Sequence, residues 1–103
     1  RKPERQYVAI VAGIVSQSRG RIESYLATDS DLNRYSVDDP AQGEFAATNF
    51  EVLKLWKDAT LLHVHLETGR RNQIRVHLAE LGHPILGDPR YKPFLAQHWA
   101  WPH

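Results

Sequence analysis

The residues best suited to chemistry are concentrated between Thr68 and His77, in the segment TGRRNQIRVH. This segment contains three arginines and no acidic residue. Arginine binds a carboxylate or a phosphate through two parallel hydrogen bonds, because its guanidinium group is planar. Arg71 and Arg75 are four residues apart, so within one helix they would share a face and repel each other. The segment therefore predicts an anionic partner, either a phosphate backbone or a buried carboxylate from elsewhere in the protein.

A solvated basic surface that binds nothing explains the same segment, since charged clusters are common on protein surfaces. The position of the segment favours an anion, because it joins a predicted strand to the start of a predicted helix. The first N–H groups of a helix attract negative charge. The residue types alone leave the anion site and the solvated helix end both open.

A second cluster consists of His63, His65 and Glu67, which alternate along a predicted strand and therefore point the same way. Three such ligands with one open position suit zinc and would imply a metal-dependent hydrolase. The polar outer face of a half-buried strand explains the same spacing and is the more common arrangement.

The remaining candidates are aromatic residues and one aspartate. Tyr7 stands at the start of an apolar run and, taken alone, favours core packing. Trp99 and Trp101 could stack on RNA bases, although such residues more often cover the edge of a core. Asp88 lies in a Gly-Asp-Pro turn, and the sequence shows no acid-base partner for it.

Five segments favour strands or loops over helices. The apolar run at 7–15 predicts a buried strand, and 22–26 predicts a short one. The polar stretch 29–43 predicts a surface loop. Segments 44–56 and 61–68 alternate in polarity and predict an antiparallel hairpin.

The pattern changes period after the hairpin. Ile74, Leu78 and Leu81 recur at intervals of four and three, which predicts a helix. Asn72 is the expected N-cap, and Gly82 is expected to end the helix. The sequence thus predicts an α+β fold, a mainly antiparallel sheet with one principal helix.

Composition limits the other possibilities. A chain of 103 residues suits one domain. Its net charge is only +1, so any nucleic-acid surface must be a local basic patch. It has no cysteine, which excludes disulfides and thiolate metal sites and fits a cytoplasmic protein. No apolar run approaches the length of a membrane span, so no membrane partner is expected.

Three blocks resemble the RluA-type RNA pseudouridine synthases. The segment TGRRNQIRVHLAELGHPILGDPRY at 68–91 is similar to the family pattern TGR-x-HQIR-x-H followed by GHPI-x-GD-x-x-Y. The segment YVAIVAG at 7–13 resembles the family's Y-x-A-x-V-x-G strand. The segment ATNFEVL at 47–53 resembles its A-x-T-x-(F/Y)-x-V-L strand. The blocks occur in the family's order and cover most of the chain to Tyr91.

The resemblance implies a partial pseudouridine synthase fold and a monomeric, cofactor-free isomerase that acts on rRNA or tRNA. Such an enzyme flips a uridine out of its stack, as base-modifying enzymes must. It breaks the N1–C1′ bond, turns the base and joins C5 to C1′. By position, Arg75 matches the arginine that pairs with the catalytic aspartate, and Tyr7 matches the tyrosine beside the flipped base. The resemblance also suggests RNA-binding residues, namely Arg70, Arg71, Asn72, Gln73 and His77.

Two departures from the family pattern affect these expectations. No segment resembles the upstream R-L-D-x-x-T-S-G motif, so we expect residues 1–103 to be the C-terminal portion of a catalytic domain whose aspartate lies elsewhere. The chain alone is then expected to be inactive, and a non-catalytic RNA-binding module is the alternative. Asn72 replaces the family's usual histidine, and since it cannot titrate near neutral pH, we expect no proton transfer there.

Overall fold

A five-stranded antiparallel sheet carries one helix in the computed structural model, which describes residues 5–88. The strands are β1 (Gln6–Ala12), β2 (Arg19–Thr28), β3 (Arg34–Val37), β4 (Glu44–Leu55) and β5 (Ala59–Leu66), and the helix is α1 (Gln73–Glu80). The strand order is β1-β5-β4-β2-β3, and all neighbours are antiparallel. This architecture confirms the predicted α+β fold, including the β4–β5 hairpin.

One face of the sheet is buried because apolar residues occupy alternate positions of its central strands. In β5, Leu62, Val64 and Leu66 point inward and are buried, as their alternation predicts. Val64 pairs with Phe50 of β4, whose ring joins the same core cluster. His63 and His65 lie on the opposite face.

Helix α1 packs on the buried face of the sheet. Leu78 is fully buried in the core cluster, and Ile74 and Leu81 pack against it, which confirms the predicted helical stripe. Asn72 is the N-cap residue, as predicted. Gly82 follows the C-cap with a φ of 99°, a left-handed conformation that glycine adopts without strain, so it ends the helix as expected.

The apolar run at 7–15 is less buried than its composition predicts. Strand β1 ends at Ala12, and Tyr7, Val8 and Ile10 are 46%, 63% and 42% exposed. Among the described residues β1 is the outermost strand of the sheet beside β5, and only one of its faces meets the core. The prediction of a strand is therefore confirmed, whereas the prediction that it is buried is wrong.

The polar stretch 29–43 is not a simple loop. It contains strand β3, which pairs with the end of β2 through residues such as Leu26 and Ser36. It also contains a 3-10 turn at Pro40–Gln42, where the Asp39 side chain accepts a hydrogen bond from the Ala41 N–H. Strand β2 starts at Arg19, before the strand predicted at 22–26. Polar composition concealed β3 because this short strand lies at an edge of the sheet.

The regular alternation of β4 is interrupted near its end. A β-bulge lies between Val52 and Lys54, so these residues do not share a face as strict alternation would require. The predictions for Trp99 and Trp101 lie outside the described residues. Within residues 5–88, no helix combines the length and apolarity needed to cross a membrane.

Candidate active site

A pocket of about 680 Å³ opens where β1, the turn before α1 and the segment after α1 meet. The strand register produces this meeting. Tyr7 pairs with Val64, so the Tyr7 side chain lies on the face that carries α1. Strand β5 then leads directly into the turn that contains Arg70 and into the helix that contains Arg75. The pocket therefore combines residues from both ends of the described chain.

The walls of the pocket are mainly apolar, and its polar groups are few. Ala9, Leu66, Ile74, Ile85 and Leu86 line it together with Tyr7, Arg70, Asn72, Gln73 and Arg75. Apolar walls with a small number of placed polar groups are typical of sites that enclose a small ligand or a single base. Tyr7 is nearly half exposed, so its ring is available to an occupant.

Arg75 is held by a buried carboxylate. Its Nε donates to Asp88 Oδ2 at 2.9 Å, and its Nη2 donates to Asp88 Oδ1 at 2.8 Å. Its Nη1 also donates to the Asn72 side-chain oxygen at 3.0 Å. The sequence showed no partner for Asp88, and the structure supplies Arg75. The anion predicted for the arginine segment is thus, for Arg75, a carboxylate 13 residues further along the chain.

Arg70 and Arg71 do not share a helix face with Arg75, because α1 begins only at Gln73. Arg70 donates to the carbonyl oxygen of Phe45 at 2.8 Å, and Arg71 donates to that of Leu32 at 3.3 Å. Both side chains are exposed. The expected repulsion within one helix is therefore wrong. Arg70 lines the pocket, whereas Arg71 reaches the turn between β2 and β3.

Glu44 lies close to these arginines. Arg34 is its direct partner at 2.7 Å and holds the pKa of Glu44 below its ordinary value. Arg70 and Arg71 add smaller effects in the same direction. The basic patch is thus partly balanced by one acid.

Gln73 is buried and fixes the turn before the helix. Its side-chain oxygen accepts hydrogen bonds from the Thr68 hydroxyl and the Arg70 N–H. Its side-chain nitrogen donates to the Ala47 carbonyl and the Thr48 hydroxyl. The Gln73 amide therefore holds the turn beside the pocket through hydrogen bonds within the chain.

His77 is also buried and connects the helix to the sheet. Its Nδ1 lies 2.7 Å from the Thr48 hydroxyl, and its Nε2 lies 2.9 Å from the Ser24 hydroxyl. Burial lowers the pKa of His77, which favours the neutral ring. A direct RNA contact by His77 does not fit this position. The sequence contained one hint of the network, since Thr48 is a polar residue on the inward side of β4.

The predicted metal-binding cluster of His63, His65 and Glu67 does not act as one group, because His63 and Glu67 bind different side chains. Both carboxylate oxygens of Glu67 bind Arg21, at 2.8 and 3.0 Å, and Asn49 donates to one of them. Arg21, with help from Asn49, lowers the pKa of Glu67 to about 2. His63 bonds to Gln6. Residues 5–88 contain no group of three His, Cys, Asp or Glu side chains placed to hold a metal ion, so the hydrolase hypothesis has no support there.

Comparison with known proteins shows that the sequence of this chain matches one family. Residues 1–80 match the family described as RNA pseudouridylate synthase. The chain is 42% identical over 89 residues to the uncharacterized RNA pseudouridine synthase YlyB of Bacillus subtilis. It is 36% identical over 91 residues to ribosomal large subunit pseudouridine synthase D of Pasteurella multocida. These matches cover 86% and 88% of this chain but 29% and 28% of the relatives, so the chain spans under a third of their length.

A solved structure shares the fold. Human RNA pseudouridylate synthase domain containing 1 superposes with a TM-score of 0.76 and 26% identity. The superposition covers 89% of this chain and 42% of the human one. The resemblance seen in the sequence blocks therefore extends to the arrangement of the sheet and the helix.

Proposed function

The chain belongs to the RNA pseudouridylate synthase family, and from this we propose that a protein containing it converts uridine to pseudouridine in rRNA or tRNA. The observation that carries the proposal is the pocket itself. Tyr7 and Arg75, the two residues that the family resemblance assigns to catalysis, line one apolar cavity.

The proposed reaction is an isomerisation. The N1–C1′ bond of a flipped uridine breaks, the base turns, and a C5–C1′ bond forms. C5 loses its proton and N1 gains one, so no atom is added or removed overall. Tyr7 is proposed to lie against the base and to accept or donate a proton, and the apolar walls exclude water from the turning base.

Arg75 is proposed to pair with the catalytic aspartate. A carboxylate in a desolvated pocket stays ionised only if a charged, hydrogen-bonded partner stabilises it. No segment of these 103 residues resembles the family's aspartate motif. We propose that this aspartate comes from a part of the protein not included in this sequence.

Arg70 and Arg71 are proposed to bind the RNA backbone beside the pocket. Both are exposed, and arginine forms bidentate hydrogen bonds with phosphate. The name of one relative, a ribosomal large subunit pseudouridine synthase, favours large-subunit rRNA as the first substrate to try.

The proposal is tested with RNA that carries tritium at C5 of uridine. Because C5 loses its proton, each turnover releases tritium to water. The full-length protein is expected to release tritium from rRNA or tRNA, and mass-neutral conversion to pseudouridine is expected at the same site. Absence of release from both RNA classes would contradict the proposal and favour the alternative, an RNA-binding module without catalysis.

The isolated chain is predicted to behave differently from the full-length protein. Residues 1–103 alone are expected to release no tritium, because they contain no aspartate in the family's motif. Mixing the chain with labelled RNA, next to the full-length protein at equal concentration, measures this. Release by the chain alone would show that an acid within these residues performs the reaction.

A further inference from the structure

Within residues 5–88, two side chains hold Arg75 from different directions. Asp88 takes the Nε and Nη2 edge of the guanidinium, and Asn72 accepts from Nη1. A bidentate pair fixes the plane of the guanidinium as well as its distance, because both bonds must stay parallel. The orientation of Arg75 is therefore set by this chain before any substrate arrives.

Asp88 acts from behind the pocket. Its side chain is only 3% exposed, whereas the Arg75 side chain is 34% exposed. Arg75 lines the pocket, and Asp88 is absent from the residues that line it. Asp88 thus acts on the pocket through Arg75.

Asn72 has a backbone conformation that suits few residues. Its φ of 59° and ψ of 16° are left-handed, a conformation that asparagine tolerates better than most residues. As the N-cap residue it makes no side-chain capping bond to α1. Its side-chain oxygen accepts from Arg75 instead, so the residue connects the turn to the arginine.

We propose that Asp88 and Asn72 are positioning residues that hold the Arg75 guanidinium at the angle needed to bind the catalytic aspartate. The expected effect on turnover rests on the proposed function, whereas the contacts of Asp88 and Asn72 with Arg75 are independent of it. Because Asp88 shares the positive charge of Arg75, the direction of the Arg75 hydrogen bonds matters for the catalytic aspartate in addition to the charge. A displacement of about 1 Å in such a group can reduce turnover by about 10²-fold.

The first test is Asp88→Asn in the full-length protein, with tritium release and RNA binding both measured. The amide removes the charge and one acceptor while keeping the shape. We expect kcat to fall by about 10²-fold while the RNA dissociation constant changes by less than about threefold. Asp58→Asn makes the same chemical change at an exposed turn and serves as the matched control. Circular dichroism checks that each variant is folded.

A second pair of variants avoids the loss of a buried charge. Asn72→Gly keeps the left-handed backbone but removes the acceptor, whereas Asn72→Asp keeps both. We expect a lower kcat for Asn72→Gly than for Asn72→Asp, with similar RNA binding by both. Arg75→Lys keeps the positive charge but loses the planar guanidinium. It is expected to have a lower turnover than wild type.

The outcomes separate this proposal from the proposed function. An inactive wild-type protein would contradict the proposed function, and the contacts of Arg75 with Asp88 and Asn72 would then have no catalytic role. An active wild type whose kcat is unchanged by both Asp88→Asn and Asn72→Gly would overturn the positioning role. If Asp88→Asn fails to fold, the comparison of Asn72→Gly with Asn72→Asp decides.

Discussion

At the residue scale, Arg75 and Tyr7 differ in how the fold holds them. Arg75 is tied to Asp88 and Asn72, so its guanidinium has a defined direction. Tyr7 stands on the outermost described strand beside β5 with nearly half of its surface open. A fixed arginine and an accessible aromatic ring have different tasks, the first to orient an acid and the second to contact a base.

The hydroxyl of Tyr7 is predicted to contribute more to turnover than to binding. Tyr7→Phe keeps the ring for stacking but cannot transfer a proton. We expect kcat to fall by about 10²-fold or more, as is typical for loss of a general acid or base, with little change in RNA affinity. Tritium release and equilibrium binding measure the two quantities. Tyr35→Phe, at a similarly exposed tyrosine of β3, is the control. Equal turnover by Tyr7→Phe and wild type would limit Tyr7 to stacking.

At the element scale, α1 is attached to the sheet through polar contacts as well as apolar ones. His77 bonds to β4 and β2, and Gln73 bonds to β4. The Ser36 hydroxyl in turn hydrogen-bonds to the Ser24 hydroxyl and to the Glu80 carboxylate at the end of the helix. This network keeps the turn before α1, and hence Arg70, in register with the sheet.

The buried His77 is predicted to make stability depend on pH. Burial lowers its pKa in the folded state below the ordinary 6.5, although Glu80 opposes this shift. The unfolded chain therefore takes up a proton first as the pH falls. The stabilisation by neutral His77 is complete above pH 6.5 and is lost as the pH falls through the lowered folded pKa.

Urea unfolding at pH 7.5 and pH 5 tests this expectation. The free energy of unfolding of the wild type should be lower at pH 5. His77→Gln should reduce the difference between the two pH values, whereas His65→Gln, at an exposed site, should leave it unchanged. If His77→Gln keeps the full pH dependence, another group is responsible.

Periodic segments were predictable from the sequence, and edge segments were not. Strand β5 and helix α1 have clear alternation and a clear helical stripe, because each buries one face. Strand β3 was missed because its short polar sequence has no such pattern. The Asp88 partner of Arg75 was missed because the pairing depends on how the chain turns after Gly82. The internal partners of Gln73 and His77 were missed because a sequence does not tell a buried polar network from a surface site.

At the scale of the whole molecule, a net charge of +1 gives little overall attraction for RNA. Binding is therefore expected on one face that carries a local basic patch. Arg70 lines the pocket, and Arg71 follows it in the turn that leads into α1. On the opposite face of the sheet, Arg21 is balanced by Glu67 and Glu23. The pocket side is therefore the face we expect to contact RNA.

Salt dependence of binding tests which face contacts RNA. Arg71→Gln in the full-length protein should weaken binding of all RNA sequences similarly and reduce the slope of log affinity against log salt by about 1. Arg19→Gln, at an exposed position on the other face, should leave the slope unchanged. Equal effects of the two variants would show that RNA does not distinguish the faces.

The turnover of Arg75→Ala beside wild type, both in the full-length protein, tests most directly whether this pocket is the active site. Tritium release from rRNA and RNA affinity are measured on the same samples. A thermal melt confirms that the variant is folded, since it leaves Asp88 without its arginine. We expect wild type to release tritium and Arg75→Ala to lose turnover far more than it loses affinity. Tritium release by Arg75→Ala at the wild-type rate would contradict the assignment of this pocket as the active site.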